Sequence, residues 1–173
     1  MELILPSTEY EQTFREAFLE FRAETGKGNI EQSLVTRLEE SKDFAEFVRK
    51  LQEEVLGKHL PEGYVPHTIY WLVDGGKFIG WLDIRHRLTE HLREFGGHIG
   101  YAIRPSERKK GYGEQILKLG LIEAKKLGIS SVRIMCDEDN IGSRRIIEKN
   151  GGVFDDTVTM KEGGVRRRYW IHT

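Results

Sequence analysis

The chain is sparing with cysteine, with long apolar runs and with excess charge of either sign. Cys136 is its one cysteine. That excludes an intrachain disulfide and any multi-thiolate metal site, and it fits a reducing cytoplasm. No apolar run approaches the roughly 20 residues a membrane-spanning helix needs. The opening MELILPSTEYEQ has neither the basic leader nor the apolar segment of a secretory signal. Lys and Arg number 27 against 28 Asp and Glu, a net charge of −1, which argues against a dedicated nucleic-acid binder. The expectation is a cytoplasmic protein without a nucleic-acid, membrane or metal partner.

With 173 residues, 38% of them hydrophobic and 32% charged, the chain suits one soluble domain spanning 1–173 that buries a sizeable core. A short strand at Leu3 to Leu5 stops at Pro6, and Ser7 and Thr8 offer caps for a helix. Tyr10, Phe14, Ala17, Phe18 and Phe21 share one helical face, which predicts core contact. Gly26 and Gly28 break that helix, and a short helix is expected within 29–42. Another follows Ser41, with Asp43 in its first turn and Phe44, Phe47, Val48, Leu51 and Val55 on one side; Gly57 and Pro61 end it. The loop from Gly57 to Pro66 is long enough to serve as a substrate wall.

Thr68–Val73 and Lys77–Arg87 read as a hairpin across Asp74-Gly75-Gly76, glycines supplying the positive φ such turns need. Alternation places Phe78, Gly80, Leu82 and Ile84 on one face of its second strand. Residues 88–97 read as a loop or short helical turn. After a strand near Ile99–Ile103 and a helix closed by Gly128, Val132–Cys136 reads as a buried strand. This βαβ unit predicts two parallel neighbours. A helix over Ser143–Glu148 and a terminal hairpin, Val153–Met160 with Val165–His172, complete the chain. Arg166, Arg167 and Arg168 alternate across the last strand, and edge-strand solubility accounts for them.

The most informative stretch is Ile99 to Ile116, IGYAIRPSERKKGYGEQI. A β-favouring run meets Pro105, then a basic turn (Arg108, Lys109, Lys110), then Gly111 and Gly113 at a helix start. The first N–H groups of a helix lack partners and the dipole is positive there, so this is an anion site. A P-loop requires Lys-Ser/Thr after its second glycine, and Gly113 is followed by Glu-Gln. A dinucleotide fingerprint requires glycine or alanine three places further on, where Ile116 stands.

The pattern it does match is Arg/Gln, two residues, Gly, one residue, Gly/Ala, carried by Arg108-Lys109-Lys110-Gly111-Tyr112-Gly113. In this the chain resembles the GCN5-related N-acetyltransferase (GNAT) superfamily. Asn140, Ser143 and Gly151 are spaced like that family's asparagine, small residue and glycine, and the resemblance spans residues 68–172. It implies an α/β (α+β) fold, with a mixed, mostly antiparallel central sheet, helices on both faces, and two central parallel strands that splay.

The resemblance further implies acetyl-CoA as acyl donor, its pyrophosphate held by the N–H groups from Arg108 to Glu114. The pantetheine would pair with the backbone at Ala102 and Ile103, and Asn140 would bind its amides with Ser143 alongside. The implied reaction is direct acetyl transfer to a primary amine of a small molecule or peptide, through a tetrahedral intermediate. A CoA-binding sensor module and a transferase of longer acyl groups stand as alternatives, and a homodimer is left open. Many family members carry a tyrosine acid seven residues after the asparagine; here that position is Ile147. Tyr101, Tyr112 and Tyr169 are substitute donors, with Tyr112 too far away inside the pyrophosphate turn. His98, His86, Asp83 and Asp137 are candidate bases, and Arg85 or Arg87 a candidate partner for an acceptor carboxylate.

Overall fold

The computed structural model describes residues 1–24, 34, 36–161 and 163–173. In chain order the elements are β1 (Glu2–Ile4), α1 (Glu11–Ala23), α2 (Phe44–Glu53), β2 (His67–Asp74), β3 (Lys77–Arg85), α3 (Glu90–Phe95), β4 (Ile99–Ile103), α4 (Tyr112–Lys126), β5 (Ser131–Asp137), α5 (Ile141–Lys149), β6 (Val153–Thr159) and β7 (Val165–His172). The helix break at Gly26 and Gly28 and the start of the helix expected in 29–42 lie outside the described residues; 36–39 are helical. Asp43 caps α2, its carboxylate accepting from the Glu46 N–H at 2.8 Å. Thr89 caps α3 in the same way through Leu92 N–H, so the expected loop or turn is a short helix with its own start signal.

Two antiparallel sheets form, in the orders β1-β2-β3-β4 and β5-β7-β6. Helices α1 and α2 cover one face of the first sheet, where Phe14 stacks on Trp71 at 4.8 Å and Phe21 meets Trp81 edge-on. Helix α4 covers the other face, its Ile116, Leu117 and Ala124 buried with Leu72, Ile79, Leu82 and Ile84. Burying both faces explains why β2 and β3 read as nearly continuous apolar runs.

The faces of β3 differ from simple alternation. Val73 pairs with Phe78 and Leu72 with Gly80, so the register shifts at Ile79. Phe78 therefore joins Trp81 on the α1 face, and Ile79 joins Leu82 and Ile84 under α4. An extra residue in one strand reverses every side chain beyond it. Gly80 next to that shift lets β4 approach closely, since a Cβ there would lie 2.3 Å from the Ala102 carbonyl oxygen.

Strands β4 and β5 are the neighbours that splay, as expected, and they meet at one hydrogen-bonded junction. His98 N–H donates to the Arg133 carbonyl at 2.7 Å, and among the described residues no parallel ladder continues from there. Gly97, at φ +79°, sits so near Arg133 that a Cβ would lie 2.6 Å from its carbonyl oxygen. The strands meet at this junction and part beyond it. Strand β7 lies between β5 and β6 rather than at an edge, so edge solubility does not account for its three arginines.

Candidate active site

Among the described residues, the parting of β4 and β5 leaves the β4 edge beyond His98 without a strand partner. A cleft of about 570 Å³ occupies the gap. Its walls include Gly100, Tyr101 and Ala102 of β4, Met135, Cys136 and Asp137 of β5, and Asn140 and Ser143 where α5 begins. Both sheet faces contribute, because Tyr101 packs with the α4 layer and Ala102 with the α1 layer. The cleft thus runs through the sheet from one side to the other.

At the start of α4, Lys109 (φ +63°) and Gly111 (φ +88°) are both left-handed. Alternating handedness of this kind turns successive N–H groups toward one point and makes an anion-binding nest. Among the described residues, no N–H from 109 to 113 donates to a protein acceptor, whereas Glu114 N–H is used within the turn, on the Gly111 carbonyl. A Cβ at Gly111 would meet nothing within 4 Å, so that glycine answers to its backbone angle. Gly113 has another role. A Cβ there would lie 2.5 Å from Ile146 Cδ1, so it lets α5 pack against α4. Two side chains of the basic run are turned to protein partners: Arg108 binds Glu24 at 2.7 Å and the Ile103 carbonyl at 3.0 Å, and Lys110 binds Glu107. Tyr112 anchors the turn to the first sheet through Asp74 at 2.9 Å.

Asn140 caps α5, its Oδ1 accepting from Ser143 N–H at 3.0 Å. That leaves its amide N–H₂ for a ligand in the cleft. Ser143 Oγ shares a 3.0 Å hydrogen bond with the Tyr101 hydroxyl. Burial pushes the Tyr101 phenol up to about 12, so it stays a neutral donor throughout the physiological range. Burial likewise raises the Cys136 thiol, to about 11, with Asp137 adding to the effect. Ile147 is fully buried in the α4 core, so the position where relatives carry a tyrosine is a packing position here.

The opposite end of the cleft is built from distant segments: Gly63–Val65 and His67, Trp81, Asp83 and Arg85 on β3, and His91, Leu92 and Phe95 on α3. His67 is buried, and both ring nitrogens have acceptors, Nδ1–H to the Val65 carbonyl (3.0 Å) and Nε2–H to Glu54 (2.8 Å). Burial opposes its protonation, but Glu54 and Asp83 outweigh that and hold its pKa above the ordinary value. Glu54, itself buried, also takes Arg37 at 3.0 Å.

Three arginines converge on the C-terminal end of α3. Arg85 donates to the Gly97 carbonyl (3.0 Å), Arg166 to the Phe95 carbonyl (3.0 Å) and Arg168 to the Glu94 carbonyl (3.4 Å). A helix end leaves such carbonyls without internal partners, and cations suit the negative end of its dipole. Arg85 also binds Asp83, and Arg166 binds Asp137 at 2.9 Å.

The structure distributes the expected catalytic residues unevenly. Tyr101 and Asp137 line the cleft. His98 sits at the strand junction, where its Nδ1 accepts the Arg133 N–H at 2.9 Å. Burial, with Arg93 and Arg85 nearby, drives its pKa down to about 4. His86 Nε2 is bonded to Thr68 Oγ1 at 2.8 Å, and burial with the His67 charge lowers its pKa. Neither histidine is among the cleft walls. Tyr169 is fully buried, hydrogen-bonded by Arg167. Of the expected cofactor contacts, Ala102, Asn140 and Ser143 border the cleft, and Ile103 is buried beneath the turn. Sequence reasoning missed the joint contribution of His67, Glu54 and Arg37, whose partners are 13 and 17 residues apart; no local pattern announces such a cluster.

Comparison with known proteins places this geometry. The acetyltransferase (GNAT) domain family model matches residues 18–153. No curated protein matches the sequence. Similar solved structures include RimL, a ribosomal L7/L12 alpha-N-protein acetyltransferase in complex with coenzyme A (18% identity, 99% of this chain and 98% of that one, TM-score 0.67). The microcin C7 self-immunity acetyltransferase MccE in complex with acetyl-CoA and AMP is similar at 14% identity (99% and 91%, TM-score 0.65). So is a variant of the spermidine N-acetyltransferase SpeG from Vibrio cholerae, at 13% identity (99% and 95%, TM-score 0.61). Identities this low establish the shared fold, and the family match adds descent: this chain belongs to the GNAT acetyltransferase family.

Proposed function

We propose that the protein is an N-acetyltransferase that moves the acetyl group of acetyl-CoA directly to a primary amine, on a small molecule or a peptide. The observation carrying this reading is the continuity of the cleft, which joins Ala102, Asn140 and Ser143 to the far wall of α3 through the β4–β5 gap. The residues present fit the donor. The nest at Lys109–Gly111 suits a pyrophosphate, and the unpaired β4 edge suits an extended amide-bearing arm. Acetyl-CoA supplies the activated thioester.

In this reading the N–H groups of Lys109, Lys110, Gly111, Tyr112 and Gly113 hold the phosphates, and the Arg108, Lys109 and Lys110 charges raise the local potential. The Glu114 N–H is committed to the helix turn, so its share is the Lys149 ion pair that ties α4 to α5. Asn140 orients the arm through its free amide, and the Ala102 and Ile103 backbone pairs with it. Tyr101 is the proton donor to the departing thiolate, its neutral phenol oriented by Ser143. That assignment gives Tyr101 the task Ile147 lacks the atoms to perform. His98 and His86 are assigned structural roles by their hydrogen bonds. Asp137 is assigned to holding Arg166 at the rim.

The test is calorimetry with CoA, followed by turnover of acetyl-CoA against an amine panel headed by peptides with free α-amines and by spermidine, the acceptor types named for similar structures. Binding with turnover is expected. CoA binding without turnover of any amine identifies a sensor instead, and preference for a longer acyl thioester redefines the donor.

A further inference from the structure

Arg37, Arg85 and Arg166 all border the cleft, and they differ in which guanidinium nitrogens are already bonded. Arg85 commits Nη1 to the Gly96 and Gly97 carbonyls and Nη2 to Asp83. Arg166 commits Nε to Asp137 and Nη1 to the Phe95 carbonyl. Arg37 commits one nitrogen only, Nη1, which lies 3.0 Å from both carboxylate oxygens of Glu54. Among the described residues its Nε and Nη2 have no acceptor. Neither atom is one of the buried polar atoms left without a partner, so solvent reaches them. Together they form the side-on edge of the guanidinium, whose two parallel N–H groups match the two oxygens of a carboxylate. Arg37 alone of the three keeps both nitrogens of that edge. The surrounding charge points the same way. Buried Glu54 answers Arg37 and also His67, at 2.8 Å. His67 has an acceptor at each ring nitrogen, and once protonated it makes two cations on one carboxylate. Asp83 and Asp137 are each matched by an arginine of their own. The wall therefore holds a positive charge without a counter-ion, with 21% of the Arg37 side chain exposed.

We propose that Arg37 selects the acceptor, taking an amine that carries a carboxylate several bonds from its reacting nitrogen; this rests on the acetyltransferase reading above. The strand register supplies the spacing. Glu54 holds Arg37 beside His67, which sits on the rung of Arg85. Gly100, next to Tyr101 where the acyl group is to be delivered, sits on the rung of Asp83, two residues along β3 and one strand further on. Strands about 4.8 Å apart and a rise of about 3.3 Å per residue put His67 and Gly100 roughly 12 Å from one another. The side chains at the two ends take up part of that gap. An α-amino acid, whose amine and carboxylate share a carbon, is too short for the remainder. An acidic side chain just after the free α-amine of a peptide has the reach, and so does an ω-amino acid. Either presents the same chemistry to Arg37, a planar carboxylate for its open edge.

The test uses the full-length protein and two matched pairs of probes. One pair is alanylglutamate α-amide with alanylglutamine α-amide; the other is ε-aminocaproate with its amide. Wild type is expected to prefer the carboxylate member of a pair by about 10- to 100-fold in kcat/KM. The difference should lie in KM, because the contact is remote from the reacting bond. The pair that shows the preference names the source, peptide or free amino acid. In Arg37→Gln the preference should fall below about threefold with CoA affinity unchanged. Arg37→Lys keeps the charge beside Glu54 and loses the side-on edge, so its preference should drop by about fivefold or more; it decides the matter if thermal melting shows that Arg37→Gln does not fold. No preference in either pair, or a smaller drop in a folded variant, overturns the proposal. If wild type binds CoA yet acetylates none of the four probes, the acetyltransferase reading fails separately. Calorimetry of the same pairs on the CoA-loaded protein then decides Arg37. Tighter binding of a carboxylate member that is lost in the variants supports it, and binding that is equal within the pairs, absent or unaltered overturns it.

Discussion

The turn that opens α4 and the far wall of the cleft are built from opposite materials. The turn at 108–113 is made of consecutive residues, and it offers backbone N–H groups with two left-handed positions to aim them. The far wall is made of side chains from β2, β3, α3 and the 63–67 segment together with Arg37, with Glu54 behind them. A backbone site reads a shape and a charge common to every molecule carrying the same phosphates. A side-chain site reads individual donors and acceptors, and here they are coupled, Glu54 holding both Arg37 and His67.

The sharpest way to break the comparison is at Tyr101, which lines the cleft on β4 beside Ser143. Tyr101→Phe is expected to lower kcat by roughly 100- to 1,000-fold while CoA affinity, measured by calorimetry, stays put. A kcat within a fewfold of wild type would remove Tyr101 from the chemistry. At the backbone end, Gly111→Asp combines a strained left-handed residue with a negative charge aimed at phosphate. CoA binding should weaken by about 100-fold or more, with the fold kept and the melting temperature lowered by only about 2–8 °C. Retained affinity would move the phosphate site elsewhere.

The junction between the two ends is open to a pH experiment. His98 is held neutral in the fold with its pKa near 4, below the unfolded value of 6.5. The unfolded chain therefore binds the extra proton first, and stability is lost as pH falls from about 6.5 toward 4. The loss has a ceiling of about 3 kcal/mol. His98→Gln should flatten that part of a denaturation profile, and an unaltered slope would show that other groups set it. His67 has the opposite sign. Its raised pKa gives stability that is complete below about 6.5 and lost as pH climbs through the folded value. The smallest effect belongs to the side-chain end. Arg166→Gln removes one carbonyl contact of α3 and the Asp137 pair, and should raise the acceptor KM a fewfold, at a stability cost of about 1 kcal/mol, with CoA affinity unmoved.

What the sequence disclosed follows the same division. Ile99 to Ile116 could be read because strand, proline, basic turn and glycines lie in one continuous stretch whose chemistry is local. Asn140 and Ser143 stood out only by their spacing in the family pattern, and the cap that Asn140 makes on Ser143 N–H shows only in the structure. The shift at Ile79 was not, because adding one residue to a strand leaves its composition unchanged and shows only in the partner's register. Gly113 looked like its neighbour Gly111, and only the position of Ile146 on another helix separates packing from ligand approach. The arginines of β7 looked like surface decoration until strand order put them next to β5 and the end of α3. His98 carried the ring of a base, and its use as an acceptor depends on Arg133, 35 residues away.

The grip of Arg85, Arg166 and Arg168 on α3 has a mechanical consequence. Arg85 belongs to the four-stranded sheet, and the other two belong to the three-stranded sheet. Six helical residues are therefore tied to both sheets at once, which elsewhere share one hydrophobic core beneath α4. A change in the length of α3 would pull on both sheets together, and the strain would fall on the β4–β5 opening between them.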